Sequence, residues 1–378
     1  MSKFLKPSIV FTLIVMLIAL VAPGTSTYAA SYHKKNVERA LASYELMQKY
    51  FYQPSVKLYT EEFPNVIGNS YSYLWPFSQA MAATTDVSRL PKIGKNYVFD
   101  RNDRLDGLKL YWNNGTNPAG YDSYVRPPLG QGGDKFYDDN DWIALNLIKL
   151  YQLTGDQAVL ERVKDIFKLE VYGWDNDPSH PYRGGIFWTQ ASWSQDRNTI
   201  SNAPLAQIGL YLYQITRDKS YFDWAKKAYD WVNNSMLAPN GLYWDHVDLK
   251  GNIDKTQWTY NQGMMIGANV LFYKTTGNET YLDLAKSIAN KAIQYYGDVL
   301  LYNNPPEFNA IFFENLQLLD SINHNNIYRK YIQSYADQMW DTERNTETGL
   351  FQRDNQNPVP LIEQAAIVEI YSNLAYQK

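Results

Sequence analysis

The sequence predicts an all-α domain, an (α/α)6 barrel of about twelve helices. Three observations predict it. Helical hydrophobic spacing recurs from end to end, while strand-like alternation is scarce. The helical segments come in two alternating kinds, one charged and one-sided, the other poor in charge all round. A gapless internal repeat occupies the middle of the chain, its starts at Tyr151, Tyr213 and Tyr273 lying 62 and 60 residues apart.

The chain opens "MSKFLKPSIVFTLIVMLIALVAPGTSTYAA". Lys3 and Lys6 precede an apolar run from about Ile9 to Ala22, and small residues follow. This pattern predicts a secretory signal peptide over residues 1–30, cut after Ala29 or Ala30. The rival is an uncleaved anchor, but the run falls short of the ~20 apolar residues a span needs. Length alone would allow two domains in the remainder. The lack of a Gly/Ser linker or a shift in composition favours one catalytic domain over residues 31–378.

The charged, one-sided segments include 33–50, 156–168, 218–231, 279–292 and 326–340. One apolar stripe puts a helix on a surface. The segments poor in charge are 72–84, 142–154, 203–216, 263–276, 310–322 and 360–376. A helix apolar on every side is buried among other helices. Alternation of the two describes an inner ring inside an outer one. The repeat joins the kinds through a turn holding Gly155, Arg217 or Gly277, where glycine suits a left-handed helix C-cap. An open solenoid is the alternative, but a repeat near 60 is long for one, and six pairs suffice to close a ring.

Composition narrows the function. The chain has no cysteine, which excludes thiol catalysis and Cys-bound metal. Loss of Lys3 and Lys6 with the leader would take the formal charge from −4 to −6, so no electrostatic case exists for nucleic acid or anionic membrane. Aromatic residues make up 15%, which suits sugar rings and helical cores alike. His33, His180, His246 and His324 are scattered without an HExxH motif, so zinc has no site. The stretches "DNDPSHPYRGG" (175–185) and "YDDND" are rich in oxygen ligands, but neither has the spacing of a calcium loop. There is no P-loop, dinucleotide fingerprint or GxSxG elbow. No cofactor is expected, and a self-contained barrel of this kind is expected as a monomer.

The unusual residues gather just before the inner segments, at 69–79, 132–142, 197–204, 256–263, 304–313 and 356–364. Parallel inner helices would bring these stretches to one end and line one cleft. In "FYDDNDW", Asp138 and Asp139 stand side by side. Asp is a common helix N-cap, and that reading accounts for one acid. Here three acids and an Asn crowd between Tyr137 and Trp142. Paired carboxylates are what glycosidic cleavage needs, one giving a proton and the other attacking carbon or activating water. Mutual repulsion holds a proton on one of them. Adjacent Asp residues fit the roughly 5–5.5 Å separation of retaining enzymes more readily than the wider inverting gap.

With "FYDDNDW", "SYLWPFSQA", "GGIFWT", "TISNA", "GLYWD" and "TYNQGMMIGA" in this order, the chain resembles glycoside hydrolase family 76, the endo-α-1,6-mannanases, over nearly all of its mature length. The resemblance implies an (α/α)6 barrel and net-retaining endo-hydrolysis of α-1,6-linked mannan, a polysaccharide or oligosaccharide substrate. It implies Asp138 as nucleophile and Asp139 as general acid/base. Trp75, Tyr137, Asn202, Asp245, Asn261 and Gln262 become candidates for the sugar cleft, although a Trp in an apolar helix is usually core and an Asn before a helix usually a cap. "FNAIF", Phe308 to Phe312, departs from the family's usual Phe-Lys-Gly-Ile-Phe at Asn309 and Ala310, and substrate preference would differ if those positions touch sugar. Other readings are a different (α/α)6 carbohydrate enzyme, such as an unsaturated uronyl hydrolase, and a non-catalytic glycan-binding surface protein.

Overall fold

The computed structural model describes residues 23–323 and 326–376. They form thirteen α-helices: α1 Pro23–Phe51, α2 Leu74–Ser88, α3 Val98–Leu108, α4 Tyr137–Thr154, α5 Gln157–Tyr172, α6 Thr199–Thr216, α7 Lys219–Ser235, α8 Thr259–Thr276, α9 Glu279–Tyr296, α10 Val299–Asn303, α11 Pro306–Asn323, α12 Ile327–Thr342 and α13 Leu361–Ala375. Residues 1–22 of the expected leader over 1–30, and His324, lie outside the described residues. No described helix is long and apolar enough to cross a membrane.

The packing is an (α/α)6 barrel. Each of α2, α4, α6, α8, α11 and α13 contacts the next, and α13 returns to α2, so the inner ring closes. The outer ring lies against it, with α3 on α2, α5 on α4, α7 on α6, α9 on α8, α12 on α11 and α1 on α13. Burial follows the two expected kinds of helix. Inner α6 buries every residue from Thr199 to Leu210, whereas outer α7 buries mainly Ala225, Ala228, Tyr229, Trp231 and Val232 along one stripe. The thirteenth helix is α10, a five-residue turn before α11.

The repeat is a pair of caps. Gly155, Arg217 and Gly277 end α4, α6 and α8 in the left-handed region, with φ of 71°, 64° and 70°. One residue later Asp156, Asp218 and Asn278 accept from the N–H groups of Ala158, Ser220 and Thr280 at 2.9, 2.9 and 3.0 Å, starting the outer helices. Inner helices α2, α4, α6, α8 and α13 have no such cap. No side-chain cap bond is made at Tyr73, Phe136, Asn198, Trp258 or Pro360.

Five inner helices share another device, at their fourth residue. Asn140 accepts from the Tyr121 N–H (2.9 Å) and donates to the Tyr121 carbonyl (3.1 Å). Asn202 does the same to Ile186 (2.9 and 3.3 Å), Gln262 to Tyr243 (2.8 and 2.9 Å) and Gln364 to Phe351 (2.9 and 2.7 Å). Asn309 donates to Leu301 O (2.8 Å) and accepts from Thr259 Oγ1 (2.9 Å). Each amide thus clamps an incoming chain segment onto a helix start and satisfies backbone groups that burial would otherwise leave unpaired.

Strand structure is confined to short pairings at the cleft end. Asp196–Asn198, His246–Asp248 and Ile253–Asp254 form a three-stranded sheet. Glu62–Phe63 pairs with Val359–Pro360, joining the early chain to the last inner helix.

Candidate active site

Four inner helices, α4, α6, α8 and α11, start earlier than their apolar segments. α4 begins at Tyr137 rather than at Trp142, so Asp138 and Asp139 occupy its first turn and not the loop before it. Neither is the N-cap, which is Phe136. They sit at the positive end of the helix dipole, which favours negative charge there.

The two carboxyls have unlike surroundings. Asp138 Oδ1 accepts from the Asp139 N–H (3.0 Å) and Oδ2 from Trp188 Nε1 (3.1 Å). The Asp139 carboxyl has no hydrogen-bond partner among the described residues, and both side chains are half-buried. Burial pushes Asp138 up to about 7, while the two donors pull the other way and the Asp245 charge adds a little. Asp139 is held well above the usual carboxylate range by burial, then by the charge of Asp138, then by that of Glu61. The arrangement therefore favours an anion on Asp138, where donors wait, and a proton on Asp139, where none do.

Aromatic rings rim this pair. Phe308 stacks on Tyr260 (centroids 3.9 Å apart, planes at 17°) and on Trp75 (5.9 Å, 23°), so α2, α8 and α11 together present one aromatic shelf. Tyr260 lies near enough to feel the charges of Asp245 and Asp138. Opposite, Trp188 packs edge-on against Phe136 (4.9 Å) and Trp193 (6.2 Å). The charges that act on the pair itself are those of Asp245 and Glu61, while Arg353 acts on Glu307 and Glu363 farther along the cleft rim. Burial raises Glu61, Asp196 and Glu363, and raises Glu307 to about 7.

The other candidates divide. Trp75 joins the shelf, its Nε1 buried without a partner among the described residues. Asp245 is half-buried and accepts from Asn261 Nδ2 (3.2 Å), so these two form one unit beside the pair. Asn202 and Gln262 are fully buried clamps with their amide groups already used. Tyr137 is buried, its ring filling the space over Gly173, where a Cβ would come within 2.4 Å of it. Asn309 and Ala310 are buried too, and Asn309 is a clamp, so this departure alters packing rather than a sugar contact. Trp188, Tyr260 and Phe308 were not singled out as site residues. "GGIFWT" was the available signal for Trp188, but nothing in its spacing says that the indole reaches Asp138 across 50 residues.

The oxygen-rich stretch 175–185 already has partners for Asp175. In 175–185, Asp175 is paired with the buried Arg197 (2.9 Å) and with His180 Nδ1 (2.9 Å). Among the described residues Asp245, His246 and Asp254 bring ligand atoms within 4.8 Å of one another, but His246 Nδ1 is already bonded to Asp245 Oδ2 (2.9 Å). A cavity of about 1080 Å³ opens toward the opposite end of the barrel, lined among others by Arg89, Lys149, Glu314 and Asn373. None of the candidate residues reaches it.

The sequence profile described as glycosyl hydrolase family 76 matches residues 35–378. A mannan endo-1,6-alpha-mannosidase, DCW1, of Saccharomyces cerevisiae is 28% identical over 224 residues, 51% of this chain and 48% of that protein. The Candida glabrata DCW1 is 30% identical over 146 residues, 36% of this chain and 32% of that one. The matches thus span about half or less of these curated relatives. Among solved structures, a family 76 glycoside hydrolase from a bovine Bacteroides thetaiotaomicron strain aligns with a TM-score of 0.79 and 25% identity, over 90% of this chain and 77% of that one. An inactive variant of an alpha-1,6-mannanase from Salegentibacter sp. HEL1_6, with two consecutive aspartates changed to asparagine and alpha-1,6-mannotriose bound, aligns with a TM-score of 0.73 at 22% identity, over 90% and 99%.

Proposed function

Since the chain belongs to glycosyl hydrolase family 76, we propose that it is a secreted, retaining endo-α-1,6-mannanase, with Asp138 as nucleophile and Asp139 as general acid/base. The observation that carries the reading is the unlike pair: neighbouring carboxyls, one held by two donors and one free, in a mouth rimmed by aromatic rings. The named activity of the yeast relatives and the two-aspartate inactive variant support it. Adjacency of the acids supports retention.

Asp139 gives its proton to the glycosidic oxygen as the C–O bond breaks, and an oxygen of Asp138 bonds to the anomeric carbon. Asp139, now a carboxylate, takes a proton from water. That water attacks the same carbon, the Asp138–carbon bond breaks, and the sugar leaves with its original configuration. Trp188 and the Asp139 N–H hold the two Asp138 oxygens in place throughout. The aromatic shelf offers apolar faces for sugar rings. A glycan carrying uronates fits poorly, because the groups around the pair are carboxyls. Residues 1–30 are read as a leader, leaving one domain from Ala30 or Ser31, which N-terminal sequencing of exported protein tests.

The deciding experiment is proton NMR of fresh product from α-1,6-mannan. The expected first signal is the α-anomer of newly formed reducing ends. A β-anomer would overturn retention. Binding without product would favour a non-catalytic glycan-binding protein.

A further inference from the structure

The stretch 175–185, which the mechanism above does not use, borders a second recess. A hollow of about 470 Å³ lies between this stretch and the C-terminal half of α7, on the outer wall. Trp174, Tyr182, Arg183, Lys227, Trp231 and Asn234 are among the residues lining it. Neither Asp138 nor Asp139 reaches it.

The local backbone is fixed in place. Gly184 and Gly185 have φ of 89° and 83°, and a Cβ on them would come within 2.5 Å of the Trp174 ring and 2.4 Å of the Trp231 ring. Glycine at both positions lets the chain close onto the two indoles. The buried Arg197 guanidinium donates to the carbonyls of Pro181 (3.0 Å), Tyr182 (3.4 Å) and Gly184 (3.4 Å). Trp231 Nε1 donates to the Tyr182 carbonyl as well (2.9 Å). Tyr182 is thereby held at φ 53°, where non-glycine residues are uncommon, with its side chain 42% exposed.

Two cations face the hollow without an acid. Lys227 Nζ lies 4.1 Å from the centre of the Trp174 ring and 4.0 Å from that of Trp224, so the indoles fix the ammonium. Burial lowers its pKa, and no carboxylate pulls it back. Neither the Lys227 nor the Arg183 side chain makes an ion pair or hydrogen bond among the described residues. The acid of the hollow, Asp230, is already bonded through both oxygens to Lys226 (2.6 Å each).

We propose that this hollow is a second carbohydrate site, apart from the cleft, which takes a sugar bearing an anionic group, a phosphate or a carboxylate. The exposed Tyr182 ring offers a face to the sugar. Arg183 and Lys227 receive the anion, the guanidinium through its paired donors. The cleft does not suit such a ligand, because the charges acting on its catalytic pair are those of Asp245 and Glu61.

The test is proton–nitrogen NMR of the indole N–H groups in the full chain, with the Trp174 and Trp231 signals assigned by Trp→Phe substitution. Mannose phosphate, glucuronate, mannose and inorganic phosphate are added in turn. At least one of the two sugar anions is expected to shift both signals saturably. A response to mannose phosphate alone identifies a phosphate ligand, and a response to glucuronate alone a carboxylate. Lys227→Ala and Arg183→Ala, both at exposed side chains, should each weaken that binding about tenfold, the loss of one charge-assisted contact. Lys168→Ala on the outer face of α5 should leave it unchanged. The absence of a saturable shift with either sugar anion overturns the proposal, as does unchanged affinity in the Lys227 and Arg183 variants. Mannose binding as tightly as the sugar anions overturns the role of the cations. Inorganic phosphate binding as tightly overturns the role of the sugar. None of these readings needs turnover, so they stand apart from failure of the mannanase reading.

Discussion

Asp138 is tuned by a residue that its own neighbourhood in sequence does not contain. Replacing Trp188 with Phe keeps the ring but removes the N–H that Asp138 Oδ2 accepts at 3.1 Å. A hydrogen bond to a charged group is worth about 1.5–3 kcal/mol, so Asp138 then ionises at a higher pH. The acid limb of kcat/KM is expected to move up by about one unit, and a pH profile checks it. Since burial holds Asp138 up to about 7 and raises Asp139 well above the usual carboxylate range, the proposed roles predict a bell-shaped wild-type profile. Activity falls below about 7 as Asp138 gains its proton, and falls again at higher pH as Asp139 loses its own. At this scale the sequence was partly legible. Two adjacent acids announce themselves by type and crowding. Tyr137, Asn202 and Gln262 look the same in sequence as cleft residues, because polar groups at helix starts serve clamps as readily as ligands. Only the partner decides, and the partners of Asn202 and Gln262 lie 16 and 19 residues back along the chain.

Among elements, the repeated caps and clamps carry the architecture. Asn202→Ala would strand the Ile186 N–H and carbonyl inside the wall, costing about 1–3 kcal/mol of stability. If Asn202 is a clamp, thermal unfolding shifts down while KM for mannan in the surviving fold stays put. A large rise in KM with unchanged stability would instead make it a ligand residue. Arg217 is the exception among the repeat turns, an exposed non-glycine residue at φ 64°. Arg217→Gly should raise stability by about 0.5–1 kcal/mol in denaturant titration, because glycine adopts that conformation without a Cβ clash. The repeat and its turn residues could be read from the sequence, since they follow local rules of backbone conformation. The start of α4 could not, because Tyr137 to Asp141 lack the apolar run that marks the rest of that helix. Helix α3 is eleven residues long and mostly polar, and it was likewise not among the segments picked out.

The whole molecule binds protons more tightly folded than unfolded at several buried acids. Asp138 and Glu307 are raised to about 7, and Asp139, Asp141, Glu170 and Glu369 lie well above the usual range. A carboxyl raised on folding contributes stability that is complete below its unfolded value near ~4 and is lost as pH rises through its folded value. The melting temperature should therefore decline between about pH 5 and pH 8, followed by calorimetry; a rise across that window would contradict this burial of acids. The fold class was legible because a ring of helices buried on all sides needs a continuous apolar composition, which sequence displays directly. The cleft was less so, since it exists only where six distant helix starts converge.

Closure of the ring depends on the chain's two ends. Helix α13 packs on α1 and on α2, and the Glu62–Phe63 strand pairs with Val359–Pro360 just ahead of it. Without α13, the five other inner helices can form only an open horseshoe with an apolar flank. Removing α13 would therefore expose the flanks of α2 and α11 together, opening the wall rather than merely shortening it.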